Sequence, residues 1–428
     1  MKLKQALLSI SVAAALAAIS GQAAASAFAL LEQGGAGNAF AGGAAGAEDA
    51  SIIFSNPAGM SRLSGTQVTV GGSMIRASSR FSDGGSTGAL LQTAGGNGGE
   101  AGGTALTANT YMVMELDPAV RFGLGVFAPF GLQTEYDPGW IGRFQAIKSR
   151  IETVNVNPSL SYRMNDSVSL GIGLSYQHIS GELTNAANYS AAAGGALGAN
   201  LEGVSTMTGS DSSWGYNLGA LFNVSPDTRI GISYRSKIKY TLNGTVTFSN
   251  VPVALAVSPV LANGAVNLPI SMPDSFSLSA FHQLGNWDLM ADATRTGWSV
   301  LQQMVISRSD GTNVQTVPEH WKDTWRIALG ASYHYNEQWL SRIGVAHDQT
   351  PMSDAYRTAR IPDSDRTWLT FGGQYKMSAL NKIDVSYTHI FMKDASIASD
   401  QTATGAGNLV GTYSNNVNIL NAQFVHNF

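Results

Sequence analysis

Apolar and polar residues alternate with a period of two in run after run of this chain, and each run predicts a β-strand with one apolar face. Val168, Leu170, Ile172, Leu174 and Tyr176 share one side, and only Ser or Gly falls on the other. Ile230, Ile232, Tyr234, Ile238 and Tyr240 alternate with Arg229, Ser233, Arg235, Lys237 and Lys239. Trp325, Ile327, Leu329, Ala331, Tyr333 and Tyr335 alternate with Arg326, Ser332 and His334, and Leu369, Phe371 and Tyr375 with Thr370, Gln374 and Lys376. Such strands suit a soluble sandwich with a polar outer face, or a barrel whose apolar face meets lipid.

The connections separate the two. Short turns are expected at Asp117-Pro118, Asn165-Asp166, Ser225-Pro226-Asp227, Gly285-Asn286, Asn336-Glu337 and Ser378 to Asn381. Between them lie long connections, roughly 77–106, 132–148, 184–212, 248–273, 308–322, 351–365 and 396–411. Short and long alternate throughout, so six turns and seven loops predict fourteen strands with every long loop at one end. A sandwich has no reason for that asymmetry. Tyr162, Phe222, Phe281, Trp287, Tyr333, Tyr335, Trp339 and Tyr375 fall near the short turns, as an aromatic girdle at a membrane boundary would. The chain closes on Phe424-Val-His-Asn-Phe428, an alternating strand with an aromatic end of the kind recognised by barrel-assembly machinery.

Composition agrees. Only 13% of residues are charged and 48 are glycine, where a soluble protein carries about 25% charge. After the first residues no 18-residue apolar run appears, so a transmembrane helix is not expected. Cysteine is absent, which excludes disulfides and thiolate metal sites. Lys2 and Lys4, apolar Ala6 to Ile19 and Gln22-Ala23-Ala24-Ala25 read as a secretory signal peptide over 1–25, cut after Ala25 or after Ala27. Without Lys2 and Lys4, 23 basic residues face 29 acidic ones, a net charge of about −6 that argues against a nucleic-acid partner. The fold class is therefore all-β: a 14-stranded antiparallel transmembrane barrel over 66–428, in the outer membrane of a Gram-negative bacterium.

Residues 26–65 lack alternation. Ser26 to Gly46 is rich in Ala and Gly with isolated Phe28, Leu30, Leu31 and Phe40, a composition suited to a plug inside the lumen. The segment ends at Asn56-Pro57-Ala58, where proline fixes a bend, or simply a turn, between plug and wall.

Ser26-Ala27-Phe28, Ala47-Glu48-Asp49-Ala50, Asn56-Pro57-Ala58, Trp214 to Phe222, Tyr234-Arg235-Ser236, Trp298-Ser299 with Gln302-Gln303, Trp321 to Arg326, and Ile361 to Trp368 recur in order along the chain. Together these stretches are similar to the FadL-type long-chain fatty acid transporters. The ordered set spans the whole mature chain. The resemblance implies a barrel plugged by an N-terminal hatch, ligand capture outside, and an internal pocket near the hatch N-terminus at Phe28. Gating by hatch rearrangement around Asn56, Pro57 and Ala58 is also implied, with lateral exit at an inward kink of the third strand. Here that kink falls at Ala128-Pro129-Phe130-Gly131; termination of the strand there is the plainer reading.

A fatty acid needs an apolar channel and a cation for its carboxylate. Val251 to Leu261, with Val253, Leu255 and Val257, and Ala191 to Leu201 are apolar outer loops, forming either a landing groove or a lid. Lys322 matches the position of the family's head-group lysine, and Arg326 lies four residues on, on the same strand face by parity. Lys322 is also placed to pair with Asp323. Where other members carry a second cation, this chain has Gln177-His178, so His178 stands in its place or the cation is missing. Some relatives carry aromatic hydrocarbons, which need no cation, and the outer loops also suit an adhesin or receptor. No His-Glu-x-x-His or Walker pattern occurs, so no enzyme is expected, and no cofactor. The partners expected are a hydrophobic small molecule (a fatty acid), outer-membrane lipid and lipopolysaccharide, and the barrel-assembly machinery, with the chain itself a monomer.

Overall fold

The computed structural model describes residues 27–31 and 34–428; the signal peptide expected over 1–25 lies outside them. Twenty strand segments form one sheet. They are β1 (Thr66–Asp83), β2 (Gly103–Asp117), β3 (Val120–Phe127), β4 (Gly131–Glu135), β5 (Lys148–Arg163), β6 (Val168–Asn188) and β7 (Glu202–Ser225). Then follow β8 (Thr228–Arg235), β9 (Ile238–Phe248), β10 (Gly264–Met272), β11 (Ser275–Leu284), β12 (Trp287–Thr296), β13 (Gln303–Arg308) and β14 (Asn313–Pro318). Last come β15 (Thr324–His334), β16 (Trp339–Asp348), β17 (Arg366–Lys376), β18 (Asn381–Met392), β19 (Ala395–Gln401) and β20 (Gly407–Asn427). Six staves are interrupted once each, as β3/β4, β8/β9, β10/β11, β12/β13, β14/β15 and β18/β19, so twenty segments make fourteen staves. Antiparallel pairing of β1 with β20, from Gln67↔Asn427 to Asp83↔Gly411, closes the barrel. Among the described residues the ladder runs unbroken around the inner half of the barrel, as a sheet in hydrocarbon requires.

The staves are longer than the apolar alternation predicts. β1 runs on to Asp83, β6 to Asn188 and β19 to Gln401. Above the lipid nothing selects an apolar outer face, so the pattern fades while the ladder continues. Leu170, Ile172, Leu174, Ile327, Leu329, Val345 and Phe371 face outward and are exposed to lipid. Trp287 packs on Tyr333 at 4.8 Å and Trp339 on Tyr375 at 4.4 Å near the short turns. Phe281 departs from the expected girdle: it points inward, beneath the Arg229 guanidinium at 3.7 Å.

At the outer end of the lipid band some staves exchange faces. Ile230 and Ile232 of β8 are on the lipid side, whereas Ile238, Tyr240 and Leu242 of β9 are buried in the lumen. The break at Ser236, whose N–H donates to the Tyr216 carbonyl and whose hydroxyl accepts from Tyr216 N, inserts the residue that flips the parity. The alternation through Tyr240 therefore does not stay on one face, as the sequence pattern suggests. Lys237 and Lys239 turn to water and the apolar residues turn inward.

The hatch fills the lumen with tight turns rather than regular elements: short helices at Ala36–Asn38, Ile52–Ser55 and Pro57–Arg62. Several of its carbonyls face the wall outside any ladder, and wall arginines supply their donors. Arg121 donates to Leu63 O, Arg163 to Ser61 O, Arg229 to Ala45 O and Gly46 O, and Arg326 to Ala39 O, at 2.6–3.0 Å. Arg342 bridges Glu48 (2.5 Å) and Asp384 (2.9 Å).

Candidate functional site

Two stretches of backbone build the inner pocket. The third stave stops at Phe127 and resumes at Gly131; the interrupted segment bonds to the hatch N-terminus, and its tie to the neighbouring strand is the Thr153 hydroxyl, which accepts from Phe130 N and donates to Phe130 O. Leu30 N donates to Pro129 O and Gly131 N donates to Phe28 O, both at 2.9 Å. Pro129 has no N–H to give a neighbouring strand, which is why the ladder fails there. Beside it, β2 pairs with β3 only from Thr110 onward, and β4 pairs with β5; among the described residues no ladder joins β2 above Thr110 to β4.

Phe28 is 1% exposed and sits in a box of rings. Its centroid lies 4.9 Å from Trp298, 5.8 Å from Trp321 and 5.9 Å from Phe130, with the Trp298 and Phe130 contacts edge-to-face. Ala27 N donates to Asp363 Oδ2 at 3.1 Å. Ile179, Leu242, Ile270, Met272, Leu301 and Ile361 complete the apolar shell. Towards the outside the shell opens into a groove of about 560 Å³, lined by Leu183, Met207, Val266, Leu268, Met304 and Ile306, with Arg150 the charged residue on its wall. Beneath Phe28, against Pro129 and Phe130, lies a second cavity of about 810 Å³.

Asn56, Pro57 and Ala58 are buried against the wall. Asn56 Nδ2 donates to Ala44 O (2.7 Å) and Ala220 O (3.0 Å), and its Oδ1 caps the Pro57–Arg62 turn by accepting from Ala58 N. Gly219 and Gly171 allow this approach: a Cβ on either would overlap Asn56 or the Pro57–Ala58 backbone. The turn seats the hatch at its inner end.

The head-group residues fall elsewhere than parity suggested. Lys322 precedes β15, so strand alternation does not reach it; it is exposed, and its N–H donates to Pro351 O. Asp323 is held by Arg295 and Ser299 N rather than by its neighbour Lys322. Arg326 is buried, lines the lower cavity, and is paired with Asp292 at 2.9 Å. Lys322 and Arg326 thus do not share a face. His178 continues the outward row of Leu174 and Tyr176, is exposed, and bonds Ser212 Oγ at 2.9 Å, so no cation stands beside the pocket at that position. Val253 and Val257, at the tip of the β9–β10 loop, are 92% and 90% exposed, with Leu255 half-buried between them. The Ala191–Leu201 segment turns away towards the first outer loop, where Asn200 N donates to Leu91 O.

Sequence reading missed Glu319. It is fully buried, accepts from Trp321 Nε1 at 2.8 Å, and its Oε1 has no partner. Burial pushes its carboxyl up to about 7, opposed by the Trp321 hydrogen bond and the nearby Arg360 charge. Its folded value lies above the unfolded one, so the stability it lends is present at acidic pH and lost as pH rises through about 7. Trp321 emission is therefore expected to titrate near neutrality, and Glu319→Gln to remove that titration; an unchanged profile would sever the link.

A family model described as outer membrane protein transport protein (OMPP1/FadL/TodX) matches residues 16–428. The long-chain fatty acid transport protein of Escherichia coli K12 is 27% identical, over 88% of this chain and 91% of its own length. Outer membrane protein P1 of Haemophilus influenzae is 29% identical, covering 89% of each chain. The crystal structure of a Pseudomonas aeruginosa FadL homologue superposes with a TM-score of 0.86 at 26% identity, over 94% of this chain and all of that one. The Ralstonia pickettii toluene transporter TbuX shares the fold, with a TM-score of 0.65 at 21% identity, over 93% of this chain and 99% of that one. The chain belongs to the OMPP1/FadL/TodX family of outer-membrane transport proteins, channels for hydrophobic compounds and not enzymes.

Proposed function

We propose that the chain takes up long-chain fatty acids, and that the molecule travels from the outer loops through the groove and the Phe28 box to a lateral exit at the third stave. One observation carries this reading. The groove and the box share Ile179, Leu242 and Ile270, so their apolar walls are continuous. A flexible hydrocarbon chain fits a continuous apolar track, where burial yields about 0.8 kcal/mol per methylene. The name of the Escherichia coli relative points the same way. Val253, Leu255 and Val257 offer the first apolar contact.

The moving part is the start of the hatch. Residues 26–65 act as the plug and 66–428 as the wall, but the anchorage is uneven. Ala39 to Leu63 is held by wall arginines, whereas Ala27–Leu30 is held by Asp363 and two backbone bonds to the kink. An arriving chain displaces Phe28, breaks those two bonds, and frees the seam between β2 and β4. Asn56, Pro57 and Ala58 keep the remainder seated, and Pro129, Phe130 and Gly131 form the gate. The chain works as a monomer surrounded by lipid and lipopolysaccharide, inserted by the barrel-assembly machinery through its Phe428 end.

The box also favours a second reading: the three rings around Phe28 would accept a single aromatic ring in its place. Uptake separates the two. Cells lacking the gene are expected to lose labelled oleate uptake and keep toluene uptake. Normal oleate uptake with lost toluene uptake establishes the aromatic reading, and no change in either returns the outer loops to a receptor role.

A further inference from the structure

We infer that Arg235 and Asn217 form a binding station for the carboxylate of the transported molecule, in the cavity beneath Phe28 and behind the kink; the inference rests on the fatty-acid reading. Arg235 lines that cavity at the end of β8. Its Nη2 donates to Phe54 O at 2.6 Å and its Nη1 reaches Ser175 Oγ at 3.5 Å. These use two of the five donors that a guanidinium carries. The Phe54 and Phe127 rings lie 5.2 and 5.3 Å from its centre. Among the described residues no carboxylate stands within ion-pair distance of it. That sets Arg235 apart from Arg326, which has Asp292, and from Arg342, which has Glu48 and Asp384.

A second group points to the same ligand. Asn217 lines the cavity, is 3% exposed, and its Nδ2 is buried with no acceptor. Its orientation is set from behind: Asn157 Nδ2 donates to Asn217 Oδ1 at 2.9 Å, and Asn157 Oδ1 accepts from Ser159 Oγ. Flipping the Asn217 amide would face one NH2 with another. Gly173 leaves room for this network, since a Cβ there would overlap both Asn217 and Ser159. A buried donor without an acceptor is costly and uncommon. A half-buried cation without a counter-ion, as Arg235 is, also carries a desolvation cost. Placed in one cavity, the two ask for a small anion, and a carboxylate meets both with one group. Pro129 and Phe130 form another wall of the cavity, so a head group held there would leave its hydrocarbon tail at the gate.

The test compares oleate with oleyl alcohol, equal in chain and different in charge, in cells producing the full-length protein. Arg235→Gln is expected to lower oleate uptake about tenfold, the loss of one charge-assisted hydrogen bond, while oleyl alcohol uptake stays within about twofold. Arg235→Lys should restore part of the oleate rate. Equal falls for both molecules would show that Arg235 only anchors the hatch at Phe54, and an unchanged oleate rate would remove it from the path; either result overturns the station. If wild-type cells take up no more oleate than cells without the protein, the fatty-acid reading fails, and the site is then read by binding alone. Purified protein with carboxyl-13C oleate should show a bound resonance that Arg235→Gln removes, and persistence of that resonance overturns the proposal.

Discussion

Replacing Phe28 by alanine is expected to tighten the binding of a long-chain ligand to the purified protein, not to weaken it. In the resting structure Phe28 occupies the ring box of Phe130, Trp298 and Trp321, so an arriving ligand competes with part of the chain itself. Truncating a packed phenylalanine removes about 3–5 kcal/mol of contact. Binding then no longer carries the cost of emptying the box, because apparent affinity scales with the fraction of molecules whose site is open. A gain of at least about tenfold is expected in a fluorescence titration with a polyunsaturated fatty acid. Weaker binding would mean that Phe28 contacts the ligand more than it competes with it.

The second large effect is expected at Arg326. Its guanidinium bridges Asp292 of the wall and Ala39 O of the hatch, and all of these groups are buried. Arg326→Met strands the Asp292 charge and releases a hatch carbonyl together. Removing one partner of a buried pair costs about 3–5 kcal/mol, whereas replacing both by apolar residues is often close to neutral. The single variant should therefore show a large fall in thermal midpoint and leak large hydrophilic antibiotics through the loosened hatch. Arg326→Met with Asp292→Leu should recover most of the midpoint and little of the seal, because the Ala39 bond is still absent. Full recovery of the seal would remove Arg326 from the hatch anchorage.

The strand count was legible because lipid enforces it. A stave inside the bilayer must be apolar outside, so Leu170 to Tyr176 announces itself, and short turns such as Asn165-Asp166 mark the inner rim. The face of His178 was legible too, since it continues that outward row, and only the expectation of a second cation placed it by the pocket. Three things were hidden for physical reasons. Ser236 flips the parity of the seventh stave, and one bulge residue leaves no mark in a period-two pattern. The ring box draws Phe28, Phe130, Trp298 and Trp321 from four distant parts of the chain, and nothing local ties a tryptophan before β15 to a phenylalanine in the hatch. The hatch arginines were hidden likewise: Arg229 and Arg326 alternate like any lumen-facing residue, and their carbonyl partners carry no side-chain signature. Lys322 shows the opposite fault, strand parity extended past the end of a strand.

These placements converge on one route, in which a hydrophobic molecule enters the box, displaces Phe28 and leaves sideways between β2 and β4. The most direct test is photo-crosslinking during uptake, with a long-chain fatty acid carrying a diazirine at its terminal carbon. The account predicts labelled peptides from residues 128–131 and 103–109, beside the broken ladder. Labelling confined to the inner face of the hatch, around residues 46–62, would place the exit at the periplasmic end and contradict it.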